Sequence, residues 1–109
     1  MPRKNKGNAN LSDLDYLVLT SLIPEPRYGY AIRRDIMERT EELMKPSLAT
    51  LYDMLHRLLS DGLIEKDKDE VIDGRVRRTY RITGLGQQAV SEKERILQLL
   101  NNRKVAGEV

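Results

Sequence analysis

The sequence predicts a mainly helical domain with a small β-hairpin, and three observations predict it. An amphipathic segment from Leu48 to Leu59 stops at Gly62. Directly after it, the apolar period changes from helical to alternating on either side of Asp73-Gly74. The returning strand is then loaded with Arg75, Arg77, Arg78 and Arg81. A helix that runs into a basic hairpin is the order of elements of a winged helix-turn-helix. A further amphipathic segment at the C-terminus is read as a dimerisation helix.

The first helix is signalled by Ser12, with Asp15 three residues on as a capping-box partner. Leu14, Leu17, Val18 and Leu22 form its apolar face, and Pro24 and Pro26 stop it. Tyr28-Gly29-Tyr30 opens a second helix whose stripe is Ala31, Ile32, Ile36 and Met37, with Arg33, Arg34, Asp35, Glu38 and Arg39 facing water. Pro46-Ser47 starts the third, with Ser47 as N-cap. Leu48, Leu51, Leu55, Leu58 and Leu59 recur at helical spacing, and Gly62 suits the position just past the end.

Asp73-Gly74 is a two-residue hairpin turn, because both central residues of such a turn need positive φ. That register sets Ile72 opposite Arg75, Val71 opposite Val76, Glu70 opposite Arg77 and Asp69 opposite Arg78. It sorts Val71, Val76, Tyr80 and Ile82 onto a face expected to lean on the body, and Lys66, Lys68, Arg75, Arg77 and Arg81 onto a basic one. A bulge would shift this assignment. Thr83 caps the last helix, which is expected to reach Asn102. Its stripe of Leu85, Ala89, Ile96, Leu99 and Leu100 follows a unit that is already complete, so a second copy of the chain is its expected partner. The domain organisation is thus a flexible basic arm (1–10), a winged helix-turn-helix (11–83), a dimerisation helix (84–102) and a frayed tail (103–109).

Composition narrows the chemistry. With 109 residues, one domain is expected. The absence of Cys excludes disulfides, thiolate metal sites and cysteine nucleophiles, and a single histidine, His56, argues against a histidine metal site. There is no Ser-His pairing, glycine-rich phosphate loop or calcium-loop spacing, so an enzyme, a cofactor and a metal sensor are not expected. No apolar run approaches the roughly 20 residues that span a bilayer. The basic start lacks the apolar core of a signal peptide, so a cytoplasmic protein with no membrane contact is expected. The net charge of +2, from 19 basic and 17 acidic side chains, is uninformative, whereas its distribution is not. Arg3, Lys4 and Lys6 cluster at the start, and the arginines of the hairpin cluster late.

On double-stranded DNA the third helix would lie in the major groove, presenting Ala49, Thr50, Asp53, His56 and Arg57. Ser47 and Thr50 sit at the positive end of the helix dipole, where a phosphate binds well, while Ser47 also caps its own helix. His56 is a donor to phosphate or base, or is simply solvated. Arg57 can take guanine bidentately, or pair with Asp53 or Asp61. Arg75, Arg77 and Arg78 can enter the minor groove or grip the backbone, against the alternative that Glu70 and Asp69 neutralise the last two.

With these residues laid out, the chain resembles the PadR family of bacterial transcriptional regulators. The matching pieces are Tyr28-Gly29-Tyr30, Ser47-Leu48-Ala49-Thr50-Leu51-Tyr52, Leu55, Leu58, Leu59 and Asp61-Gly62-Leu63-Ile64-Glu65. Gly74, Arg75, Arg77, Arg78, Tyr80 and Ile82-Thr83-Gly84-Leu85-Gly86 complete them. The resemblance implies a homodimeric repressor of nearby genes, released in some members by a small hydrophobic effector. It also implies a Tyr52 hydroxyl reaching phosphate; a half-buried ring at the core edge is the other reading of that residue. Some compact members stack flat ligands on an aromatic residue of the last helix, and this chain has no Trp, no Phe and no Tyr after Tyr80. The expected operator is a near-palindrome, with half-sites about one helical turn (~34 Å) apart. The rival reading is a winged-helix module that binds protein instead of DNA.

Overall fold

The computed structural model describes residues 11–107, with side chains to residue 102. The order is α1 (Asp13–Ser21), β1 (Arg27–Tyr28), α2 (Gly29–Arg39), α3 (Leu48–Ser60), β2 (Ile64–Ile72), β3 (Arg75–Ile82) and α4 (Gly84–Gly107). The basic arm expected over residues 1–10 lies outside the described residues.

The helices α1, α3 and α4 each start where a hydroxyl cap places them. Ser12 Oγ accepts from Asp15 N at 3.0 Å and Asp15 Oδ2 accepts from Ser12 N at 3.2 Å, a complete capping box. Ser47 Oγ accepts from Thr50 N at 3.1 Å, and Thr83 Oγ1 from Gly86 N at 3.0 Å. Gly62 ends α3 at φ 78°, a left-handed conformation that costs other residues strain. Val18, Leu19 and Leu22 of the α1 segment, Ile32 and Ile36 of α2, and Leu51, Met54, Leu55 and Leu58 of α3 close one core with Ile64 and Tyr80. Leu19 and Met54 join it beyond the expected stripes, while Leu48 is exposed at the start of α3.

The sheet is three-stranded, in the order β1-β3-β2. Arg27 pairs with Tyr80 and Tyr28 with Thr79, so a two-residue strand unforeseen in the sequence joins the hairpin to the start of α2. Asp73 (φ 53°) and Gly74 (φ 75°) form the predicted turn, and all four predicted pairs next to it are present. Below them the register shifts. Lys66 pairs with Tyr80 and Asp69 with Arg78, so Asp67 and Lys68 together oppose Thr79. The extra residue would strand backbone groups. Thr79, itself buried, satisfies them: its hydroxyl accepts from Lys68 N at 3.2 Å and lies 3.0 Å from Lys68 O and 3.2 Å from Asp67 Oδ2.

The shift corrects two expectations. Lys66 moves to the face of Tyr80, away from Arg81. Val71 and Val76 do not lean on the body: they are 74% and 70% exposed, because the hairpin extends past the core before reaching them. A third correction concerns α4. Ala89, expected in the interface between copies, has no exposed surface and belongs with Val90 to the chain's own core. The start of α4 packs on this body, leaving no room for a second copy at Ala89. Gly86 sets that contact: a Cβ there would collide with the carbonyl of Leu63. The helix also runs past the expected Asn102, to Gly107.

Candidate nucleic-acid interface

The buried ridge of Leu51, Met54, Leu55 and Leu58 turns the opposite side of α3 outward, exposing Ala49, Thr50, Asp53 and His56 together. Ser47 does cap: besides accepting from Thr50 N, it donates to Thr50 Oγ1 at 3.0 Å. Thr50 spends an acceptor on that bond, and its own proton is left to donate outward.

Tyr52 sits at the seam between α3 and the start of α2. A Cβ on Gly29 would come within 2.6 Å of its hydroxyl oxygen, so only glycine lets the ring lie there. Tyr52 is 37% exposed, and its hydroxyl reaches the first turn of α2, where Tyr28 provides no side-chain cap. Burial, and after it the neighbouring Tyr52, raises the Tyr80 phenol above its ordinary pKa. The turn from α2 to α3 is held by Arg33, expected to face water, whose Nε donates to Pro46 O at 2.6 Å.

Arg57 pairs across helices, with neither of the acids on its own segment. Its Nη2 lies 2.8 Å from Asp15 Oδ1, and its Nη1 3.5 Å from Oδ2. The pairing with Asp53 or Asp61 is therefore replaced by one with α1. The Asp15 hydrogen bond raises the guanidinium pKa, against the opposing pull of desolvation.

The wing arginines differ in what they touch. Arg75 is exposed beside the turn and has no ion-pair partner among the described residues. Arg78 pairs with Asp69 at 3.4 Å, as its register predicts. Arg77 faces Glu70 but does not pair with it; its guanidinium lies 5.4 Å from the centre of the Tyr28 ring, and Glu70 instead takes Lys68 at 3.2 Å. Arg81 is held by Glu65 at 2.8 Å and Asp67 at 2.9 Å. Lys66, turned by the bulge, is an exposed cation the sequence reading had set on the other face. On α4, Leu85 is half-exposed beside Gly62, Ile96 is partly buried, and Leu97, Leu99 and Leu100 are open.

Three helices closing on a short sheet, with a polar face on the third and an arginine-bearing wing, define a winged helix-turn-helix, a fold of DNA-binding regulators. The chain belongs to the PadR-like family of transcriptional regulators, whose pattern it matches over residues 18–92. It is 44% identical over 62 residues to the transcriptional regulator Rv3488 of Mycobacterium tuberculosis, a match covering 57% of each protein. Its fold is similar to that of a transcriptional regulator from Clostridium thermocellum, Cth-833, with TM-score 0.66, 30% identity, and 86% and 89% of the two chains covered. It is also similar in fold to Bacillus subtilis PadR in complex with operator DNA, with TM-score 0.65 and 21% identity over 74% of this chain and 46% of that one. Members of this family are transcriptional regulators and not enzymes. Among the described residues, no helix is long and apolar enough to cross a membrane.

Proposed function

We propose that the chain is a homodimeric repressor that lays the exposed face of α3 in the major groove and the wing beside it. The observation that carries this reading is the clean division of α3 into a fully buried apolar ridge and an outward face of Ala49, Thr50, Asp53 and His56. In that pose Thr50 and Ser47 approach a phosphate at the positive end of α3, and the Tyr52 hydroxyl donates to the next phosphate from the α2 seam. His56, on the same face, is a donor to a phosphate or a base. Arg75 gives the wing its unneutralised charge, Arg77 is aimed by the Tyr28 ring, and Arg78 contributes after leaving Asp69.

Two copies joined through Ile96, Leu99 and Leu100 present two α3 helices, so the operator is a near-palindrome and repression is steric. A small hydrophobic effector seated between the paired α4 helices would alter their angle and the spacing of the α3 helices, releasing DNA. The Bacillus subtilis PadR of similar fold was captured in complex with operator DNA, which supports DNA as the partner. The test is binding of the full chain to duplex DNA from upstream of its own gene, titrated with salt. Affinity that falls steeply with salt is expected. No binding at low salt would reject the proposal in favour of a module that binds protein.

A further inference from the structure

We infer that Asp15 and Arg57 form a positioning pair that fixes the orientation of α3 against the first turn of α1, the same turn that holds α4. Arg57 then serves DNA recognition through the attitude of its helix, without touching a base. The inference rests on the DNA-binding reading above.

Asp15 is 5% exposed, and burying a carboxylate costs free energy unless its oxygens are hydrogen-bonded. They are: Oδ2 accepts from Ser12 N at 3.2 Å and Oδ1 from Arg57 Nη2 at 2.8 Å, with Nη1 3.5 Å from Oδ2. A guanidinium whose two terminal nitrogens face one carboxylate has its fork directed at that carboxylate, and while it stays there the fork is not offered to a guanine. Arg57 belongs to α3, and its partner lies 42 positions earlier, on a different helix. The pair therefore constrains one helix relative to another, which a contact within α3 cannot do.

The second half of the argument lies on the same turn. Lys93 of α4 donates to Leu11 O at 3.0 Å and sits 3.5 Å from Asp13 Oδ1. One residue past Asp15, the Tyr16 hydroxyl donates to Glu94 Oε2 at 2.7 Å. The helix read as joining two copies and the helix read as meeting DNA are thus fastened to one capped turn. A displacement of α4 pulls on the backbone beside Ser12, whose N–H orients the Asp15 carboxylate. A ligand or partner that moves α4 is then felt at α3 through this turn, with no need for the wing.

The test uses the full chain with Arg57→Lys, Arg57→Ala, Asp15→Asn and the double variant. Each is titrated on the upstream duplex and on a scrambled duplex of equal length. Both single changes to Arg57 and Asp15→Asn are expected to lower the ratio of the two affinities by a similar factor, about tenfold. The double variant adds nothing, and the salt slope keeps its wild-type value. Lysine fails because a point charge does not replace the fork. A change that merely unfolded a fraction of the molecules would lower both affinities and leave the ratio intact.

An Arg57→Ala variant whose salt slope falls by about one, or which relaxes a single operator position while Asp15→Asn does not, would overturn the inference in favour of direct contact. Amide exchange over residues 48–60 without DNA provides a second readout. Asp15→Asn and Lys93→Gln are each expected to speed it with the fold retained. If the wild type binds neither duplex, the DNA reading fails; if exchange in α3 is unchanged in Asp15→Asn, the positioning role fails.

Discussion

Gly29 and Tyr52 show how a single missing atom places a hydroxyl. The Gly29 Cα faces the Tyr52 ring so closely that a Cβ would lie 2.7 Å from its Cζ and 2.6 Å from its oxygen. In Gly29→Ala the atoms in the way are the far end of a half-exposed side chain, so the ring swings outward and the core stays closed. Thermal unfolding should therefore register a loss near the low end of overpacking costs, about 1 kcal/mol. Duplex affinity should fall about tenfold, the value of one lost hydrogen bond to a charged acceptor. Tyr52→Phe separates the two effects: the ring stays, stability changes little, and affinity falls by a similar factor with the salt slope unchanged, since a phenol carries no charge. An affinity equal to wild type in Tyr52→Phe would assign the ring to packing alone.

Among the elements, the wing has a built-in division of labour between its arginines. Arg75 has no acid to leave behind, whereas Arg78 must give up Asp69 before it can meet a phosphate. Arg75→Ala is expected to reduce the salt slope of duplex binding by about one, and Arg78→Ala by clearly less, in fluorescence titrations across a salt series. The bulge that orients the base of the wing depends on Thr79. Thr79→Val keeps the shape but strips the hydroxyl from Lys68 N, Lys68 O and Asp67, and should cost about 1–3 kcal/mol in denaturant unfolding. Much of this element was legible in the sequence, because Asp73-Gly74 fixes the turn and the turn fixes the pairs beside it. What lay beyond the bulge was not, since one extra residue reverses which side chains share a face and no local pattern announces it. Arg27–Tyr28 is too short to show alternation, and the partner of Arg57 lies on another helix. Periodicity reveals which face of α3 is buried, while the ion pairs that hold that face in place are set by the tertiary arrangement.

At the scale of the whole molecule, α4 divides into a covered half and an open half. Its 24 residues span about 36 Å at the α-helical rise. Ala89 and Val90 close the core, and Lys93 and Glu94 fasten the helix to α1. Beyond them the apolar stripe continues without a body to cover it: Leu99 is 54% and Leu100 58% exposed, with Ile96 at the boundary. A sequence reading sees one stripe and assigns Ala89 to the partner; the fold cuts the stripe in two at the end of the domain. Dimerisation should respond accordingly. Leu99→Glu with Leu100→Glu removes apolar area only from the distal half and places charge where two copies would meet, so the variant should remain folded by circular dichroism yet sediment as a monomer. Its affinity for a near-palindromic duplex should fall by at least about a hundredfold, because each half-site is then bound alone and the advantage of linked binding is lost. Its affinity for a single half-site should stay near that of wild type, since α3 and the wing are untouched. Ala89→Glu should behave in the opposite way, unfolding the domain before it can report on assembly, because the charge would enter the chain's own core. A dimer that persists through both leucine substitutions would move the interface off α4 and, with it, the predicted spacing of the half-sites.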